Sequence, residues 1–375
     1  MQWVLNEMKK RIHYSVLLSV VFVLTILTMT GCKKNKEKEE EITVTPTVTS
    51  APTTSPVPTE EAENHENEVR SKITGLWIPK ENGNKRPYAI MLNNIKLASP
   101  QSGTEEAGIL YEALVEGGIT RLMGIYEDLD EKRIGSVRSA RHYYVSIADE
   151  YEAIYVHFGE TSYATKKIKE LGIDNLSGLT GISDTVFFRD KSIKAPHNAF
   201  ATKEGILKGT QTKGYNTEYS ENFQSHFNFY EKDTDLKGGE SAEKVTLMFS
   251  NYASPYFTYD KEKKQYNRFQ YDKKHVDFNT GEQLVFKNII VQFVKEWNID
   301  KNGYQTMELE NASGNGYYIT NGIKTDITWK KNESTGKMRY YDAQGNELTI
   351  NAGKTYIALF PNDRTSEVVL DGSSQ

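Results

Sequence analysis

A chain of 375 residues with 37% apolar and 26% charged side chains is neither a fibre, a wholly disordered polymer nor a multi-span membrane protein. Its formal net charge of −5 lacks the basic excess of general nucleic-acid binders, so no nucleic-acid partner is expected. A lone cysteine, Cys32, excludes an intramolecular disulfide, a Cys-rich zinc site and a CxxC redox pair.

Lys9, Lys10 and Arg11 precede an uncharged run from Tyr14 to Leu27. That run falls short of the roughly 20 apolar residues of a spanning helix and suits the core of an export signal. It ends in Met29-Thr30-Gly31-Cys32, small residues before a cysteine, which resembles a bacterial lipobox. Such a signal implies cleavage after residue 31, lipidation (palmitate) on Cys32, and a cell-membrane anchor facing outside the cytoplasm. The competing reading is an uncleaved anchor with an incidental buried cysteine. Residues 32–70 then form a tether. Lys33 to Glu41 is a solvated charge run, and Thr43 to Thr59 is Thr/Ser-rich with Pro46, Pro52, Pro56 and Pro58, too polar to offset its ordering entropy.

The remaining chain is long enough for two cores. Its grammar changes near Asp233 to Glu243, where Lys237-Gly238-Gly239-Glu240 breaks the pattern. The expected fold class is α+β: a mixed α/β domain over 71–235, then a β-rich domain over 240–372, an antiparallel sandwich or barrel. In the first half, Tyr88–Asn93 reads as a buried strand. Ile109–Glu116 and Ile119–Tyr126 read as a hairpin closed by Gly117-Gly118, residues that tolerate positive φ; a single helix over Glu105–Glu116 competes. Val137–Tyr151 reads as a helix with Val137, Ala140, Tyr144, Ile147 and Ala148 on one face. A strand at Ala153–Phe158 and a helix at Tyr163–Leu171 follow.

The second half alternates strand runs with turn signals. The runs are Val245–Phe249, Leu284–Phe286, Ile289–Val294, Tyr317–Thr320, Ile323–Trp329, Met338–Tyr341, Glu347–Ile350 and Tyr356–Phe360. Asn321-Gly322 between two of them is a strong hairpin cue. Tyrosines from Tyr252 to Tyr341, with Trp297 and Trp329, could present a glycan-stacking surface, although strand propensity and core packing explain them as well.

Candidate chemistry concentrates in the first half. Arg138 and Arg141, read as i and i+3 at the start of a helix, would lie side by side. With Arg121 they suit a carboxylate or phosphate, helped by free N–H groups of the first turn. Pairing of one arginine with Glu112 or Glu116, which share a strand face, is the structural alternative. Asn93, Ser102, Ser139, His157, Arg189, His197 and Asn198 complete the set of ligand-binding or catalytic candidates. Ser102 or Ser139 with His157 or His197 could form a nucleophile and base, but no G-x-S-x-G, H-E-x-x-H, Walker A or Rossmann glycine pattern is present. No metal is expected, since no ligand spacing recommends Glu116, His157 and His197, and no cofactor is implied.

Several stretches occur together: Arg86-Pro87-Tyr88-Ala89-Ile90-Met91-Leu92-Asn93-Asn94, Pro100-Gln101-Ser102-Gly103, Tyr111-Glu112, Val115-Glu116-Gly117-Gly118-Ile119-Thr120-Arg121, Val137-Arg138-Ser139-Ala140-Arg141, Ile154-Tyr155-Val156-His157 and Ala195-Pro196-His197-Asn198. With His275-Val276-Asp277, Gly314-Asn315-Gly316 and Gly353-Lys354-Thr355, they resemble the YerB-like lipoproteins, mainly of Gram-positive bacteria. Ser99, Ser136 and Glu160-Thr161 depart from the arginine, proline and Gly-Ser common there. The resemblance implies an exported lipoprotein with an α/β-type first domain and a β-rich second one, and brings no reaction with it. The resulting expectation is a lipid-anchored protein that binds an anionic envelope ligand or an envelope protein through an Arg/His-lined cleft. A cell-wall hydrolase or transferase using the same cleft is the alternative.

Overall fold

The computed structural model describes residues 65–371 apart from 131 and 332–335. The expected signal peptide, Cys32 and the tether as far as residue 64 lie outside the described residues.

Strand dominates the body. The first half supplies β1 (Tyr88–Asn93), β2 (Ile109–Leu114), β3 (Thr120–Tyr126), α1 (His142–Glu150), β4 (Ile154–His157), α2 (Ser162–Leu171), β5 (Asn175–Ser177) and α3 (Lys203–Lys213). The second half supplies β6 (Lys244–Leu247), β7 (Tyr256–Asp260), β8 (Gln265–Gln270), β9 (Asn288–Val294), β10 (Glu296–Asn298), β11 (Gln305–Met307), β12 (Ser313–Thr320), β13 (Ile323–Lys331), β14 (Met338–Tyr341), β15 (Thr355–Pro361) and β16 (Val368–Asp371).

Both halves build one eleven-stranded sheet in the order β13-β12-β9-β15-β2-β3-β1-β4-β5, with β14 and Glu240–Ser241 also on β13. The sheet thus draws strands from both of the expected regions, 71–235 and 240–372. The seam is β15, parallel to β9 on one side and to β2 on the other. Its seven residues are all buried, and a strand with no polar face cannot stand at an exposed edge.

Strand alternation sorts side chains onto two faces. Leu92, Leu110, Leu122, Val291 and Tyr356 join one core with Ile206 of α3 and with Val245, Phe257 and Tyr266 of a second sheet. That six-stranded sheet contains β6, β7, β8 and β16. Met91, Tyr111, Met123, Tyr155 and Ile357 join the other core with Tyr144, Ile147 and Ala148 of α1. Each such large apolar side chain contributes about 1.5–3 kcal/mol on burial.

The hairpin forms as read. Glu112 opposes Leu122 across β2 and β3, and Gly117 and Gly118 both take φ of 72°. The helix read over Val137–Tyr151 starts only at His142. Residues 136–141 form an extended strap because distant carbonyls capture their amides: Val137 N–H donates to Ala199 O, Arg138 N–H to Met91 O and Ala140 N–H to Gly159 O. Those bonds satisfy donors that a helical turn would otherwise have used. Arg138 and Arg141 are therefore not neighbours on a helix face.

Candidate anion site

β1, β4 and β5 run parallel, and their carboxyl ends meet the start of β3 and the strap. Crevices at such carboxyl ends are where open α/β sheets bind ligands. Asn93 opposes Arg121 across β1 and β3, so both side chains leave the sheet on the α1 face. His157 leaves β4 on that face too, in step with Tyr155.

Arg141 grips Glu116 in a bidentate fork, Nε to Oε1 at 2.7 Å and Nη2 to Oε2 at 2.5 Å. Burial opposes the charged form of Arg141, but the bonds from Glu116 outweigh it and raise its pKa. The same fork holds Glu116 below the usual carboxylate range against its own partial burial.

Arg121 stands differently. It is 5% exposed, and its Nη1 donates to the Ser139 carbonyl at 2.7 Å. Among the described residues no carboxylate lies within 4.0 Å of it. Burial, then the charges of Arg141 and Arg138, lower its pKa to about 9. Arg138 is half-buried; its Nη1 donates to Pro196 O at 3.0 Å, while Nε is buried without a hydrogen-bond partner. Burial and the nearby Arg141 charge lower its pKa as well.

His197 sits beside Arg138. Its Nδ1 accepts from Asn93 Nδ2 at 2.9 Å, which places the proton of the neutral ring on Nε2. Burial and then Arg138 depress its pKa, keeping the ring neutral at neutral pH. Asn93 Nδ2 also reaches Ser136 Oγ at 3.3 Å.

Comparison with known proteins assigns the chain. Residues 73–216 match the N-terminal domain, and residues 245–357 the C-terminal domain, of a protein family of unknown function, DUF3048. The chain belongs to the DUF3048 family. It is 29% identical over 302 residues to a Bacillus subtilis (strain 168) protein named "Putative lipoprotein YerB", covering 78% of this chain and 87% of that one. The crystal structure of the YerB protein from Bacillus subtilis matches with a TM-score of 0.72 at 28% identity, covering 81% of this chain and 99% of that chain. In this DUF3048 member the first matched region supplies β1 to β5 and the arginines, while the second supplies β9, which meets β2 through β15.

Other candidates lie elsewhere. Glu112 does not share a site with Glu116. It projects to the opposite face, fully buried, where Oε2 accepts from Arg268 and Tyr356 and Oε1 from Thr120 and Asn94. Strand β2 ends at Leu114 and Glu116 lies in the turn after it, so the strand face read as shared by the two carboxylates does not form. Ser102 is buried with its Oγ accepting from Arg133 Nε at 3.1 Å. Arg189 donates to Asn198 Oδ1 at 2.8 Å and lies over Phe158. His157 Nδ1 bonds Gly159 O at 2.9 Å and lies 3.4 Å from Glu160, and its Nε2 is 3.3 Å from Asn175 Oδ1. No serine hydroxyl bonds either His157 or His197 among the described residues. Nor does any group of three His, Cys, Asp or Glu side chains converge there.

Two cavities elsewhere have other linings. One of about 420 Å³ is lined by Phe293, Asn315, Tyr317, Asp326 and Thr365. Another of about 280 Å³ is lined by Arg86, Asp149, Glu152 and Asp174. The cluster is a cationic sheet end. Two of its members escaped the sequence reading. Ser136 receives the Asn93 amide, and Gly159 at φ +87° leaves room for Ser139 Oγ, which would lie 2.9 Å from any Cβ there. A glycine directly after a strand-end histidine and aromatic was the available signal for the second.

Proposed function

We propose that this chain is an exported lipoprotein, anchored by lipid on Cys32 at the outer side of the cell membrane, whose body binds an anionic envelope ligand through Arg121 and Arg138. Arg121 carries this reading: a buried guanidinium without a carboxylate partner among the described residues. An ion left uncompensated away from water costs several kcal/mol, and an arriving anion offsets that cost. The lipoprotein name of the Bacillus subtilis relative supports the anchor.

Thermal melting of the full chain in a series of sodium salts at constant ionic strength tests the binding. A midpoint rise with multivalent anions that vanishes in Arg138→Ala supports the reading, and equal shifts in both proteins exclude it. Cys32→Ala should move the chain from the membrane fraction to the soluble one. The hydrolase alternative has less behind it, because neither histidine holds a serine nucleophile. Turnover of purified peptidoglycan that is lost in His197→Ala would restore it.

A further inference from the structure

We propose that the group held at this site is a dianionic tetrahedral phosphate, as in a phosphomonoester, and not a carboxylate. The inference rests on the anion-binding reading above and specifies its chemistry.

Charge is the first argument. Three guanidiniums meet here and one carboxylate, Glu116, is bound into the Arg141 fork. Glu160 turns to His157 at 3.4 Å and Ser177 at 3.3 Å. Two positive charges, those of Arg121 and Arg138, remain uncompensated. A dianion neutralises both, whereas a single carboxylate leaves one cation bare in a partly desolvated site.

Donor geometry is the second. The donors come from three separate elements: Arg121 from β3, Arg138 from the strap, and His197 from the loop ahead of Asn198. Arg138 Nε is buried and unpartnered, and Asn93 fixes the His197 tautomer that presents Nε2–H. A planar carboxylate has two oxygens to share among such converging donors. A phosphate has three or four, with density of charge to match each guanidinium.

Isothermal titration calorimetry of the full chain in detergent, at fixed ionic strength, decides between the classes. The probes are inorganic phosphate, sulfate, acetate and succinate. Phosphate and sulfate should bind at least about tenfold more tightly than acetate and succinate, and Arg138→Ala should weaken phosphate by about tenfold or more. Arg121 lies in the core and its substitution endangers the fold, so Arg138→Ala carries the test. Lys261→Ala, a remote charge paired with Glu243, should leave the affinity unchanged. Succinate or acetate binding as tightly as phosphate, with loss in Arg138→Ala, overturns the phosphate class but leaves the anion site standing. Absence of binding by every anion removes both. Glucose 1-phosphate and dioctanoyl phosphatidic acid present the same group on a soluble and on a lipid body. Tighter binding of one identifies the source, and failure of both overturns the proposal.

Discussion

Glu112 Oε2 accepts a hydrogen bond from Arg268 Nη2 at 2.7 Å, with both side chains fully buried. The pair joins β2 to β8, one matched region to the other, across 156 residues of sequence. Tyr356, Thr120 and Asn94 complete the shell of Glu112, while Gln270 and His275 Nδ1 accept from Arg268 Nη1. Breaking such a pair strands a charge in the core; replacing both partners by apolar groups does not. Glu112→Ala should lower stability by about 3–5 kcal/mol in urea unfolding. Glu112→Leu with Arg268→Met should recover most of the loss.

Glu116 is the only carboxylate bonded to the arginine cluster among the described residues. Glu116→Gln leaves Arg141 without its counter-ion beside two further cations. Because Glu116 is 25% exposed, solvent screens part of the effect, and the expected loss is about 2 kcal/mol. Excess sulfate should restore much of the melting midpoint in this variant and little in Arg138→Ala.

His226 is fully buried against Tyr151, with ring centroids 4.6 Å apart, and neither ring nitrogen has a hydrogen-bond partner. Burial, reinforced by Arg339, Lys337 and Lys331, drives its pKa well below the usual value. The unfolded chain therefore takes up a proton below about pH 6.5 that the folded one refuses, and stability falls as the pH drops through that value. His142, lowered to about 4 chiefly by burial, acts with the same sign. His226→Phe should raise the melting midpoint at neutral pH by the equivalent of about 1–2 kcal/mol and flatten the acid limb. The residual slope belongs to His142 and its fellows.

A neutral His197 makes anion binding pH-dependent. A bound dianion favours the imidazolium, so binding takes up a proton. Affinity for sulfate should rise as the pH falls from neutrality toward the lowered pKa of the free site. Arg121, Arg138, Arg141 and Glu116 keep their charges over that range. His197→Gln should bind sulfate with the slope removed, as read by calorimetry across pH.

Local chemistry made part of this legible. Gly117-Gly118 and Asn321-Gly322 announced two hairpins, and the glycines with Asn321 take the positive φ those turns need. The arginines were legible as a group, but their setting was not. Val137, Ala140 and Tyr144 carry helical spacing, yet the carbonyls of Met91, Gly159 and Ala199 hold the strap extended, a long-range decision that overrides local preference. Strand β8 escaped notice because its inward side chains are Tyr266, Arg268 and Gln270; polar residues in alternation read as a solvent face when the partner, Glu112, lies far away in sequence. The shared sheet was invisible for the same reason, since β15 is placed by neighbours from both halves.

The most direct measurement is a crystal structure of the full chain grown or soaked with tungstate, a tetrahedral dianion with a strong anomalous signal. An anomalous peak should stand within hydrogen-bond reach of Arg121 and Arg138, on the α1 face at the carboxyl end of β1. Peaks only elsewhere, or an Arg121 found paired to a carboxylate of its own chain, would contradict the site.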